Sequence, residues 1–327
     1  MAPTLRFVNG HIELNQVARR VDGRWIGSRQ EQNNFLVTAE PAAKISLAKI
    51  VMNQDTLNFS KAGWVHLQQV SPDSNVLHVQ LQFLAPQGLR AIVGDTFTMG
   101  SSGTANTTPL HQVRISPFWI DSSLVTRSSF KALLGNDPSV WDTCAQCPVT
   151  SVTWFEAVRY CNARSLAEGR EIAYDTSNPD SNQWTWIRDA SGYRLPTEAE
   201  FEYAERAGTS TDWFWGETLA EGTIALYAWD LANSGGMPHP VASLQPNSWG
   251  LYDMAGNAWE WNWDWASTVD STSAVDPTGP STGGSRVIRG GGWDTWGDNL
   301  ASEFRGSSIP TTRYESIGFR TVVGPRY

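Results

Sequence analysis

The chain has 327 residues, 40% of them hydrophobic and 17% charged, with 28 Gly and 17 Pro, a balance that excludes a disordered polymer. The length suits two domains or one large one. A formal charge of −9 argues against nucleic-acid binding driven by phosphate neutralisation, and no apolar run approaches the roughly 20 residues of a membrane helix.

The N-terminus, Met1-Ala-Pro-Thr-Leu-Arg6, lacks the basic-then-apolar layout of a signal peptide. The chain as written reads as soluble and unprocessed. Its compartment stays open between the cytoplasm and display on a phage or cell surface by another route. Residues 1–93 carry nine Lys/Arg against six Asp/Glu, whereas the remainder carries 15 against 27, and only Trp25 and Trp64 of the 17 tryptophans precede residue 94. This break predicts a boundary, with one domain over residues 1–91 and a second over 92–327. In the first, Leu5–Val8 and His11–Leu14 alternate around Asn9-Gly10, a strong hairpin signal. Asn34–Thr38, Lys44–Val51, Gly63–Val70 and Asn75–Phe83 are further strand candidates. A small all-β sandwich or partial barrel is expected, serving attachment or presentation. His66 and His78 read as structural or surface residues.

In the second domain the spacing predicts two helices. Thr153–Ala167 has apolar residues at Trp154, Phe155, Ala157, Val158, Cys161 and Leu166, and Gly169 follows it. Thr197–Ala207 opens with Thr197 three residues before Glu200, a capping box, and Gly208 follows. Beyond it Gly, Asn, Asp, Ser and Trp predominate, which predicts irregular loops. Cys144 and Cys147 form a CxxC before Pro148, read as a local disulfide or two free thiols, and Cys161 falls in a helix core.

Seven motifs then occur in order: Gly94-Asp-Thr-Phe-Thr-Met-Gly-Ser101, His111-Gln-Val-Arg-Ile-Ser-Pro-Phe-Trp-Ile-Asp121, Pro148-Val-Thr-Ser-Val-Thr-Trp154, Tyr193-Arg-Leu-Pro-Thr-Glu-Ala-Glu-Phe-Glu-Tyr203, Trp249-Gly-Leu-Tyr-Asp-Met-Ala-Gly-Asn-Ala-Trp-Glu-Trp261, Arg286-Val-Ile-Arg-Gly-Gly-Gly-Trp293 and Ile317-Gly-Phe-Arg320. Over about residues 92–323 the chain resembles the formylglycine-generating enzyme, or sulfatase-modifying factor, family. The resemblance implies an α+β domain with a C-type lectin-like fold. Most of the motif residues read physically as scaffold, with Arg194 near the Glu198 helix start and the Trp259 and Trp261 indoles filling a core.

The oxidase members of the family bind copper through two cysteines shortly after a Gly-Gly-Ser segment. This chain has no cysteine after Cys161, and the first such position falls near Thr295. Without thiolates a soft cuprous ion has no ligands, so no copper and no formylglycine generation are expected. The five histidines, at 11, 66, 78, 111 and 239, show no paired metal-ligand spacing, and His239 between two prolines reads as a loop residue. The resemblance implies calcium near Gly256-Asn-Ala-Trp-Glu260, with side-chain oxygens of Asn257 and Glu260 and carbonyls of Gly256 or Ala258 as ligands. The alternative is that Asn257 and Glu260 only hydrogen-bond the loop.

The segment 293–316 mixes small polar, acidic and aromatic residues, the palette of an adaptable recognition surface. Candidate contacts are Trp293, Asp294, Thr295, Trp296, Asp298, Asn299, Glu303, Ser307, Ser308, Thr312, Tyr314 and Glu315. This resembles the variable proteins of diversity-generating retroelements, where the same fold displays a changeable patch here. The first expectation is therefore a non-catalytic binder of a protein or glycan. The alternative is a copper-independent enzyme or maturation accessory with a pocket of Trp293, Asp294, Trp296, Glu303 and Arg305. A deep cavity holding a carboxylate of strongly raised pKa would favour the enzyme, and an open surface the binder.

Overall fold

A computed structural model describes residues 88–327 apart from 102–108, 142–143, 181–182, 268–273 and 325–327, together with the backbone of short strands before residue 88. The chain divides into two compact units, Met1–Val93 and Gly94–Tyr327. In the first, Leu5–Val8 and His11–Leu14 pair antiparallel with Val8 opposite His11, as the Asn-Gly turn signal predicts. Lys49–Met52, Val65–Leu67 and Leu81–Phe83 are strands within the expected β regions or overlapping them. Val17–Val21 and Arg24–Ser28 add a hairpin. The side chains of His66 and His78 lie outside the described residues.

The second unit is the expected α+β fold, with few helices and several small sheets. Helix α1 (Arg127–Leu134) is capped by Thr126, whose hydroxyl accepts from the Ser129 N–H, and ends at a left-handed Gly135. Helix α2 (Trp154–Ala167) starts at a complete capping box of Thr153 and Glu156. Helix α3 (Glu198–Arg206) has the same box from Thr197 and Glu200, and α4 (Glu221–Tyr227) has no side-chain cap. Only α2 and α3 are anticipated by their spacing. The inner face of α2 carries Trp154, Ala157, Val158, Cys161 and Ser165. Leu166, expected on that face, is exposed, because one further residue turns it about 100° from Ser165.

Two sheets carry the architecture. Phe118–Asp121 and Tyr193–Arg194 flank the short strand Val322–Val323, both antiparallel to it. The other sheet runs Gly306–Ser308, Arg286–Arg289, Trp259–Trp265, Ile317–Gly318. Trp259–Trp265 pairs antiparallel with Arg286–Arg289, with a register shift between Trp261 and Trp265, and parallel with Ile317–Gly318. Trp261 is fully buried and donates through Nε1 to the Val152 carbonyl at 2.9 Å. Trp259, expected in the core beside it, is only half-buried and donates through Nε1 to the Thr295 hydroxyl at 3.1 Å. Gly256, at φ +77°, donates its N–H to the Gly290 carbonyl at 2.8 Å, and a Cβ on it would stand 2.4 Å from the Trp229 carbonyl oxygen. Only glycine fits there.

Every residue of α3 is buried, so four carboxylates and a guanidinium enter the core together. Burial on that scale requires paired partners. Glu200 receives a fork from Arg194, both contacts at 2.6 Å. Glu202 accepts from Arg289 Nη2 at 2.5 Å, Arg206 Nε at 3.0 Å and the Gly100 N–H at 2.8 Å. Glu198 accepts from Arg305 Nε at 2.7 Å. Glu205 has no partner on Oε1, and burial pushes its carboxyl well above the ordinary range. Arg289 also donates to the carbonyls of Ser302, Glu303 and Phe304, tying the following segment to α3. Arg289→Met should therefore cost about 3–5 kcal/mol, read as a lowered urea midpoint, whereas Arg313→Met, on the exposed Glu156 pair, should cost under about 1 kcal/mol.

Candidate functional site

The segment after the glycines begins as a tight turn. Thr295 is buried, and its hydroxyl accepts from the Gly292 N–H at 3.0 Å and Trp259 Nε1 at 3.1 Å while lying 3.3 Å from Asp294 Oδ1. The position nearest the first family cysteine thus holds a hydroxyl that braces the turn, with no thiol beside it. Leu300, farther along, packs with Trp213, Ile224, Ala228 and Ala255. Of the other cysteines, Cys144 and Cys147 are disulfide-bonded with Cα atoms 5.2 Å apart, and Cys161 is buried in α2 with its thiol pushed up by desolvation. Copper ligands of the family type are therefore absent from the chain.

The structure divides the residues expected to make contacts. Asp294, Trp296, Asp298, Ser307, Tyr314 and Glu315 are exposed, with Trp296 at 60% and Tyr314 at 54%. Trp293, Asn299 and Thr312 are half-buried. Trp293 meets Trp141 edge-on at 5.8 Å. Thr295, Glu303 and Ser308 turn inward and are not surface groups. Glu303 lies 3.5 Å from Arg206 Nη2, and burial raises its carboxyl. Ser308 sits on an inner register of its strand, opposite Arg286. The segment has no regular period, so nothing local marks which of its polar residues face the core.

Between the two arms of the segment lies an open depression of about 800 Å³, walled by Trp259, Phe304, Arg305, Ser307, Tyr314 and Ile317. Trp259 and Ile317 are wall residues that composition alone did not point to; the only signal was that they flank the segment in neighbouring motifs. Arg305 is held in the wall by Glu198 and by the Ser267 carbonyl at 2.6 Å. No carboxylate lines this depression among the described residues.

The oxygens expected to hold calcium are engaged by protein donors. Glu260 is fully buried, and both its oxygens accept from Arg320, at 2.6 Å from Nη2 and 2.8–2.9 Å from Nε. Arg320 Nη2 also takes the nearby carbonyls of Tyr252 and Asp253. Asn257, at φ +63°, accepts from the His239 N–H at 3.0 Å and donates to the His239 carbonyl at 3.1 Å. The Gly256 carbonyl accepts from the Ala258 N–H. This donor set does not fit a calcium ion, and Asn257 and Glu260 act here as braces. His239 stacks on Trp229 at 3.7 Å, within a loop.

Asp264 is the buried carboxylate with the simplest surroundings. It accepts the first N–H of α3, from Glu198, at 2.8 Å, and burial beside Glu198 and Glu200 pushes its pKa up to about 7. The native state keeps a proton that the unfolded chain releases near pH 4, so stability falls as pH rises from about 4 through 7. Asp264→Asn keeps the acceptor and removes the titration. It should raise Tm at pH 8 by about 5 °C and leave Tm at pH 4 nearly unchanged, as measured by thermal melts across that range.

Residues 82–324 match the family described as Sulfatase-modifying factor enzyme 1-like domain. The formylglycine-generating enzyme of Streptomyces coelicolor is 31% identical over 271 residues, which cover 70% of this chain and 84% of the enzyme. The chaperone protein LppX of Paenibacillus barcinonensis is 32% identical over 208 residues, covering 55% and 71%. Among solved structures, Treponema denticola variable protein 1 superposes with a TM-score of 0.68 at 30% identity, over 72% of this chain and 95% of its own. PvdO from Pseudomonas aeruginosa, at 24% identity and a TM-score of 0.56, shares the fold.

Proposed function

This chain belongs to the sulfatase-modifying factor enzyme 1-like family, and we propose that within it the protein is a non-catalytic binder that recognises a protein or glycan on the 293–316 face. One observation carries the reading: exposed Tyr314 lines an open depression that contains neither a thiol nor a carboxylate among the described residues, and Trp296 of the same segment is exposed as well. A binding site needs rigid apolar anchors at low entropic cost, and Trp and Tyr supply them. Similarity to a variable protein supports the same use of the fold, including a retroelement-diversified version of it.

The alternative of a copper-independent enzyme finds less support. Among the carboxylates with raised pKa, Glu205, Glu260 and Asp264 are sealed in the core. Glu303, the candidate base, faces Arg206 and does not line the depression. A general base must reach the proton that it removes.

Protein and glycan panels probed with wild type, Trp296→Ala and Tyr314→Ala test the reading. Both variants should melt within about 2 °C of wild type and lose about tenfold in affinity for any panel partner. Unaltered binding by both would overturn the assignment. So would copper uptake with conversion of a peptidyl cysteine to an aldehyde by the purified chain.

A further inference from the structure

The open depression between the arms of the 293–316 segment joins aromatic rings to polar groups that the protein leaves unpaired. Trp259, Phe304 and Tyr314 bring the rings, the first two with centroids 6.1 Å apart and planes tilted by 48°. Trp259 Nε1 is engaged by the Thr295 hydroxyl, so that residue has only ring surface to offer. Ser316 in the same wall is 7% exposed, and its hydroxyl has no hydrogen-bond partner among the described residues yet keeps contact with solvent. The hydroxyls of Ser307 and Tyr314, both exposed, are equally without a partner there. Arg305 adds a donor: Nε goes to Glu198 and Nη1 to the Ser267 carbonyl, and Nη2 is left over.

These groups discriminate among ligand chemistries. An anion would need an unmatched cation, and the one guanidinium of the described wall is already paired with Glu198 at 2.7 Å, in a chain of formal charge −9. A lysine or arginine side chain would need a carboxylate, and the described wall has none. A purely apolar side chain would cover the Ser316 hydroxyl and the Arg305 N–H without pairing either. A pyranose ring meets all three demands: it carries no charge, presents C–H groups to aromatic rings, and surrounds them with hydroxyls that both donate and accept. The volume of about 800 Å³ falls within the roughly 300–1,000 Å³ of small-molecule sites.

We propose that this depression is a subsite for an uncharged hexose unit of a glycan, with a C–H face against the aromatic rings and hydroxyls paired with Ser307, Ser316 and Arg305 Nη2. The proposal rests on the recognition reading of the 293–316 face and selects glycan over protein as the ligand of the depression. Glu198 has two parts in it: it holds Arg305 in place, and it cancels the charge that would otherwise favour an acidic sugar.

The test is saturation-transfer NMR on the full chain with the methyl glycosides of glucose, galactose and mannose, and with methyl glucuronide and an uncharged, end-capped serine–tyrosine peptide as the acidic and the peptide arms. At least one neutral glycoside should bind, with transfer strongest to the C–H protons of one ring face, and about fivefold tighter than the glucuronide or the peptide. Ser316→Ala, melting within about 2 °C of wild type, should weaken it about fivefold, and Tyr314→Ala about tenfold. Transfer to no neutral glycoside, or tighter binding of the glucuronide or the peptide, would overturn the hexose subsite. So would a folded Ser316→Ala that binds as wild type does, or, independently of any variant, equal transfer to both ring faces. Protein-panel signals that still depend on Trp296 would then confine the failure to the hexose subsite, whereas their absence would remove the recognition face as well.

Discussion

Helix α3 buries all nine of its residues, and the domain is organised around the need to neutralise them. Four carboxylates in the core would be prohibitive without partners, and the partners arrive from elsewhere in the chain: Arg194 from one sheet, and Arg289 and Arg305 from either side of the glycine turn. Glu205 is left over, with no partner on Oε1 and a carboxyl pushed up by burial. Ion pairs of this kind add little net stability compared with apolar packing, yet each misplaced partner is heavily penalised, so the arrangement selects one way of assembling short strands and loops that have few helices to guide them. Glu260 and Arg320 repeat the device between Trp259–Trp265 and the C-terminal segment.

The 293–316 segment depends on that arrangement. Arg289 holds the carbonyls of residues 302–304, and Arg305 joins Glu198 to the Ser267 carbonyl, so the wall of the depression hangs from the buried charges. Thr295, where the family's copper chemistry would need sulfur, instead ties Trp259 to the glycine turn. The supporting contacts of this segment run through the backbone and through arginines, and none of them needs a thiolate.

Different parts of the molecule were legible in the sequence to different degrees. The α2 and α3 capping boxes are local chemistry, a Thr and a Glu three residues apart, and both form as the spacing predicts. Helix α1 also has a Thr cap and a closing Gly135, but eight residues with one buried side chain give too weak a period to separate it from loop. The indole of Trp261 is buried and that of Trp259 is not, although their alternation alone treats the two alike. The calcium expectation came from the family resemblance at Gly256–Glu260; it could not include that Arg320, 60 residues after Glu260, occupies its oxygens.

The order of the motifs and the helix starts are one-dimensional facts, and they determined the family and the fold class, while the missing thiols set the expectation of no copper-thiolate chemistry. Tertiary structure decided which members of an aperiodic polar segment face outward. It turned Thr295, Glu303 and Ser308 inward and left Trp296 and Tyr314 exposed. The physical reason is that hydrogen-bond and ion-pair partners of buried polar groups lie tens to hundreds of residues away, where no local spacing records them.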